Sequence, residues 1–317
     1  MTRFLLGRLA LFAVGLVVAS VLIFATLRLL PGDVAQSLAG TNGSPAQVDA
    51  IRASLGLDRP VVVQYLDWLR GLVQLDLGRS LVTGTPVAEE VGEKLTVTLP
   101  LAGLSLVVGL LVGVPLGVVS ALRHRRASGA LLGVAAQVLA AVPVVWAGML
   151  LIALFGVTLR LLPTQGFPVD GWDEPGRALR SLVLPALTIG LVEGAVLFRF
   201  TRSAAIGALD EDYVRAAAAK GQTTTRALVR HGLPNVLLSV VSVLGLQVAG
   251  LVVGAVVVEQ LFALPGLGRM LVSDVGRRDL TKVQGELMTL TALVLTVGLL
   301  VDVVHRRLDP RLREGGE

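Results

Sequence analysis

The sequence predicts an all-α integral membrane protein with six transmembrane helices, and three observations carry that prediction. Of its 317 residues 54% are hydrophobic and only 16% charged, too apolar and too poor in charge for an ordinary water-soluble domain. Six stretches, roughly 9–30, 97–121, 129–159, 182–200, 236–262 and 285–304, each supply about 20 mostly apolar residues, which ~30 Å of hydrocarbon requires at ~1.5 Å per residue. Basic residues gather on one side. Of 28 Lys and Arg, 15 fall in the N-terminus, the 122–128 loop, the 199–235 segment and the C-terminal tail, against 7 in the loops 160–180 and 263–284. By the positive-inside rule both termini are then cytoplasmic.

The first apolar run, between Arg8 and Arg28, is longer than a signal-peptide core and closes on no small-x-small site, so residues 1–30 read as an uncleaved span. Residues 31–95 are an extracytoplasmic segment with the punctuation of a small helical cap. Ser44 and Pro45 open a helix that Gly56 closes, and Thr85 and Pro86 precede another with Glu89 in its first turn. Residues 96–307 form the transmembrane core, and 308–317 a cytoplasmic tail.

Span two carries Gly109, Gly113 and Gly117 at four-residue steps around Pro115, and span five carries Gly250 and Gly254. Such spacing bares the backbone along one helix face and admits a close neighbour. The seams fit either static packing within the subunit or a subunit interface or pathway. Glu193 is the deepest charge in span four. An acid at mid-membrane costs about 2.5–3.5 kcal/mol, which directs it toward protein or water. Arg199, six residues on, lies off its face. Glu193, and more weakly Gln247 in span five, is either a buried structural hydrogen-bonding group or a pathway or gating group. Glu259 and Asp302 lie near span ends, where snorkelling or an i,i+4 pair such as Asp302 with Arg306 is a sufficient role.

Between spans four and five the chain interrupts its apolar pattern over about 212–235. Asp212 is expected to cap a short alanine-rich helix, Tyr213 to Lys220, which Gly221 stops in the left-handed conformation. Thr223 or Thr225 caps a second short helix, and Pro234 is expected to break it before span five. With alanines and charged residues on the first helix, deep burial within its own subunit is not expected. A compact helix with small side chains suits a groove on another protein.

Other chemistries lack their residues. There is no cysteine, and His124, His231 and His305 stand far apart, so no metal centre is expected. The lysines are Lys94, Lys220 and Lys282, none after a glycine, so the G-x-x-x-x-G-K-[ST] phosphate loop of an ATPase is absent. No serine–histidine pair, aspartate pair or H-E-x-x-H lies within the spans, and the chain is not expected to be an enzyme or to hold a cofactor itself. The net charge of +5 comes without a basic patch interleaved with aromatics, so no nucleic-acid partner is expected.

The interruption resembles a family motif. Permease subunits of binding-protein-dependent ABC importers carry E-A-A-x-x-x-G-x9-I-x-L-P, and here the chain reads Arg215-Ala216-Ala217-x-x-x-Gly221, nine residues, then His231-x-Leu233-Pro234. Arg215 replaces the glutamate and His231 the isoleucine. "LPGDVA", "LGLDRPVVVQYLDWLRG", "LDLGRSL", "EDYVRAAAAKG", "GLQVAGLVVGAVVVEQLFALPGLGRML" and "LDPR" extend the resemblance to the first of the two permeases in dipeptide, oligopeptide and nickel importers. The resemblance implies the type I importer permease fold, a homologous partner permease, an extracytoplasmic solute-binding protein and two ATPase subunits holding ATP and magnesium. It also implies that Asp212, Tyr213, Arg215, Ala216, Ala217, Lys220, Gly221, Leu233 and Pro234 belong to the ATPase-coupling segment. Peptide is the favoured cargo, with nickel or another small solute as the alternative within the family. An ion-coupled secondary transporter is the rival outside it, but that class places more ionisable groups at mid-membrane than this chain offers.

Overall fold

The computed structural model describes residues 2–29, 34–40 and 43–308, and among them every regular element is helical. In chain order these are α1 (Thr2–Leu29), α2 (Val34–Ala39), α3 (Pro45–Ser54), α4 (Val61–Val73), α5 (Val87–Leu122), α6 (Ala127–Ala141), α7 (Val144–Leu151), α8 (Pro175–Asp210), α9 (Asp212–Ala219), α10 (Thr224–Ala227), α11 (Leu233–Leu261), α12 (Leu267–Arg277) and α13 (Leu280–Leu308). Wider π-helical turns extend α7 over Ile152–Thr158 and join α10 to α11 over Leu228–Gly232. The tail after Leu308, most of "LDPR" and the start of "LPGDVA" lie outside the described residues.

Among the described residues five helices are long and apolar enough to cross a bilayer: α1, α5, α8, α13, and α10 with α11 taken as one helix, Thr224–Leu261. The sixth expected span is not straight. Its two halves, Ala127–Ala141 and Val144–Thr158, meet at 103°. Pro143 is the cause: it has no N–H to continue α6 and holds Val142 extended, at φ −74° and ψ 123°. The run 129–159 hid this break because both halves are equally apolar.

The chain divides into two units, one drawn from 1–97 and 266–296, the other from 98–265 and 297–317. In the first, α3 begins as its sequence predicts. Ser44 accepts a hydrogen bond from the Gln47 N–H at 3.3 Å, Pro45 is the first helical residue, and Gly56 turns the chain at φ +62°. Thr85 does precede a helix, with Glu89 in its first turn as expected, and the Thr85 hydroxyl bonds the Glu90 carboxylate. That helix is not a separate cap element: it is the start of α5, which runs unbroken from Val87. Beside α1, Phe24 packs on Tyr65 and Trp68 of α4, with ring centroids 5.4 and 6.1 Å apart.

In the second unit α8 is the central helix, with buried residues from Ala178 to Ala208. Gly109, Gly113 and Gly117 of α5 lie directly against it. A β-carbon on Gly113 would stand 2.9 Å from the Leu197 Cβ and overlap the Gly194 carbonyl, and one on Gly117 would stand 2.9 Å from the Phe198 carbonyl oxygen. Gly190 and Gly194 answer from α8, where a Gly190 β-carbon would sit 2.7 Å from the Ser105 carbonyl oxygen. This is a seam within one subunit. Glu259 does not snorkel: it is fully buried and accepts a 2.6 Å hydrogen bond from the Thr98 hydroxyl.

Candidate functional site

The segment 212–235 is a folded platform rather than a loop. Glu211, extended at φ −73° and ψ 141°, is the residue that caps α9, and Asp212 is the first helical residue. The cap expected at Asp212 is displaced by one because Asp212 spends its carboxylate on Arg215, three residues on and one turn away. That hydrogen bond, reinforced by the charge, holds the Arg215 guanidinium pKa above its ordinary value. Lys220 caps the helix, and Gly221 follows at φ +88°. A β-carbon on Gly221 would meet nothing within 4 Å, so the glycine is required by the backbone angle and not by crowding.

One face of α9 is buried in its own subunit, contrary to the sequence expectation. Val214, 2% exposed, and Ala217, 8% exposed, pack with Ala227 of α10 and against Leu209. Val214 is the apolar residue in the alanine run that makes this possible, and its i,i+3 spacing to Ala217 was the available signal. Ala217 therefore leaves the outward set. Asp212, Tyr213, Arg215, Ala216 and Lys220 remain exposed. The Tyr213 hydroxyl accepts a 2.9 Å hydrogen bond from the Asn235 side-chain amide, tying the two ends of the segment together.

Pro234 does not break the chain before span five. It sits in the first turn of α11, where its missing N–H costs nothing, and the π-helical turn ahead of it keeps the helix continuous from Thr224. Thr223 caps α10 by accepting from the Arg226 N–H at 3.3 Å. Leu233 is half-buried beside a cluster of Ala121, Ala205, Ala208, Leu228 and Val236. Gly232 was overlooked in the sequence, yet a β-carbon there would stand 2.7 Å from Leu228 and 3.3 Å from Ala208.

The structure brings three separately singled-out residues into one contact. Gln247 donates from Nε2 to the Glu193 carboxylate at 2.7 Å and to the Glu193 carbonyl at 3.3 Å. Gly250 makes room beside them, since a β-carbon there would reach 3.1 Å from Glu193 Oε1. Arg199 is exposed and takes no part. Gly254 makes only ordinary contact with Ile189, at 3.5 Å.

A second polar cluster was not foreseen. In the first unit Lys282 Nζ lies 2.6 Å from Glu90 Oε2 and 2.8 Å from Asp274 Oδ2, with its side chain 6% exposed. Fully buried Glu286, one turn further along α13, faces Asp274. Asp279 accepts from the Ser80 hydroxyl at 2.5 Å and from the Leu81 N–H at 3.1 Å. Glu90 with Lys282, and Ser80 with Asp279, lie more than 190 residues apart, and the only sequence signal was a lysine and a glutamate four apart at the edge of an apolar run.

Comparison with known proteins agrees with this architecture. A family model described as the binding-protein-dependent transport system inner membrane component matches residues 113–314, and one for the N-terminal part of the same membrane components matches residues 1–102. A Brucella abortus (strain 2308) protein named for a peptide transport system permease is 41% identical over 99% of both chains. The dipeptide transport system permease protein of Escherichia coli K12 and the glutathione transport system permease protein of Escherichia coli O6:H1 are each 36% identical, again over 99% of both chains. The chain therefore belongs to the inner membrane components of binding-protein-dependent transport systems, the permease subunits of ABC importers.

Proposed function

We propose that this chain is one of two homologous permeases in an ATP-driven importer of peptides, with the outward face of α9 seated in a cleft of an ATPase subunit. One observation carries the reading. α9 is anchored from beneath by Val214 and Ala217 while it presents Ala216 and its flanking polar residues outward. A helix held on its own subunit can transmit a rigid-body displacement, which a solvated loop cannot. ATP and magnesium are held by the two ATPases. Their closure draws the coupling segments together, and a pathway between the two permeases opens to receive solute from an extracytoplasmic binding protein.

Both termini and the 212–235 segment are cytoplasmic in this reading, and residues 31–95 lie outside, where they help dock the binding protein. Peptide is favoured over nickel or another small solute because the relatives are named for peptide, dipeptide and glutathione transport. Glu193 and Gln247 act as a gating tie between α8 and α11 rather than as solute ligands, since they occupy each other.

The chain contains no cysteine, so single cysteines report cleanly. Ala216→Cys should crosslink to a co-purifying ATPase, and Asp58→Cys, at an exposed position, should be reached by an impermeant thiol reagent from outside. Purified chain that brings down no ATPase, yet accumulates solute on an ion gradient alone, would sink the proposal.

A further inference from the structure

A cavity of about 580 Å³ opens in the second unit between the 160–169 loop and the first turns of α8, within the ~300–1,000 Å³ of small-ligand sites. The loop that walls it is pinned at both ends. The Leu161 and Leu162 N–H groups bond the Phe155 carbonyl at 2.9 and 3.3 Å, and the Gly166 N–H bonds the Phe262 carbonyl at 2.8 Å. Gln165 adds a side-chain bond to the Leu261 carbonyl at 3.3 Å. The Phe167 ring packs on Trp172 with centroids 5.7 Å apart. The cavity therefore has a shape before any ligand arrives.

Arg160, Arg177 and Arg180 wall this cavity, and among the described residues no carboxylate does. Arg177 is paired with Glu174 at 3.1 Å. Arg180 donates to the Leu161 carbonyl at 2.7 Å, a neutral partner that leaves its charge uncompensated. The Arg160 side chain makes no hydrogen bond or ion pair within the described residues. It also stands in the left-handed conformation, at φ +53°, where glycine would cost less. Asp170 and Asp173, the other acids of the loop, are exposed and lie outside the lining. Leu162, Phe167 and Pro168 supply the apolar part of the wall.

Uncompensated guanidinium groups favour an anion, and their paired N–H donors match the two oxygens of a carboxylate. The apolar wall beside them favours a ligand whose anionic end adjoins an apolar body. An ammonium group finds no carboxylate in the lining and stays in water. In the orientation set by the basic residues, 160–180 lies outside, where solute arrives. We propose that this cavity receives the C-terminal end of the transported peptide, its carboxylate bonded by Arg160 and Arg180 and its last side chain lying on Leu162, Phe167 and Pro168. The proposal rests on the peptide reading of the cargo. It needs neither the ATPase contact nor the gating tie.

The test uses the full chain in neutral detergent with photoreactive dipeptides, the crosslinks being mapped by mass spectrometry. The probes are leucyl-benzoylphenylalanine, its C-terminal amide, and aspartyl-benzoylphenylalanine amide, whose carboxylate is on a side chain. The free acid should label residues 160–181 about tenfold more than its amide. Arg160→Gln, which breaks no side-chain contact in the chain, should lower that labelling about three- to fivefold, and Arg160→Gln with Arg180→Gln should bring it to the level of the amide. Arg160→Lys with Arg180→Lys keeps the charge without the planar fork and should retain part of the preference. Arg125→Gln, exposed in the 122–128 loop, should change nothing. Equal labelling by acid and amide, or undiminished labelling of the Arg160→Gln/Arg180→Gln protein, would overturn the proposal. So would equal labelling by the aspartyl amide, which marks a site for the acidic side chains of a docking protein. The expected labelling in a chain that supports no ATP-driven uptake would uphold the cavity and count against the importer reading alone.

Discussion

Two regions hold helices together by opposite means. Between α5 and α8 the contact is bare backbone, glycine against glycine, with Gly109, Gly113 and Gly117 facing Gly190 and Gly194. Around α12 and α13 it is buried charge, with Lys282 between Glu90 and Asp274, and Asp279 gripping the Ser80 turn. Backbone packing is shape without directional bonds, so a seam can have two registers of similar free energy. A buried cation between two carboxylates has one good geometry and several poor ones. The difference is one of constraint: close shape without a directional bond at the seam, and a directional ionic geometry at the cluster.

Breaking the ionic cluster should give the largest effect. Lys282→Met leaves buried carboxylates without their cation and should cost about 3–5 kcal/mol, read as a lowered unfolding temperature of purified protein in detergent. Adding Glu90→Gln should restore part of it. If Lys282→Met unfolds at the wild-type temperature, the cluster is not what fixes α13. Next comes the seam. Gly113→Leu drives a side chain into the Gly194 carbonyl and should cost about 3 kcal/mol, the upper end of overpacking. Gly103→Leu, with open space at that position, should be tolerated, and equal losses from both would mean that helix contact at Gly113 is not tight.

Gln247→Leu removes the donor to Glu193 and should cost about 1–2 kcal/mol. Peptide uptake should change more than stability does if the pair is a gating tie, and uptake unchanged beside a lowered unfolding temperature would make it structural only. The smallest effect belongs to Gly221→Ala. Forcing φ +88° on a residue with a β-carbon should cost about 1 kcal/mol locally, seen as faster proteolysis within 212–235 and weaker retention of ATPase on purification. Unchanged cleavage would show that the left-handed turn is not a constraint.

Features set by a residue and its immediate neighbours were legible before any coordinates. Gly221 and Gly56 adopt the left-handed turn, Ser44 caps α3, and the glycine spacing in span two marks a seam. What was missed fails for physical reasons. The bend at Pro143 lies inside a run whose hydropathy does not change, so length alone concealed it. Glu90 with Lys282 and Ser80 with Asp279 are created by tertiary folding between distant residues, and no local pattern announces them. Asp212 has cap chemistry, but a nearby arginine competed for its carboxylate. In the candidate site the alanines were read correctly as small and outward, except Ala217, which Val214 draws to the inner face.

The π-helical turn over Leu228–Gly232 has a mechanical consequence. Because it carries the helix past Pro234 without a break, α10 and α11 form a single rod of 38 residues, about 57 Å long at ~1.5 Å per residue. A rod of that length is a lever: tilting its foot by about 5° swings the far end through roughly 5 Å, the rise of one helical turn. A push too small to disturb the packing around Thr224 would thus arrive at Leu261 as a full turn's displacement.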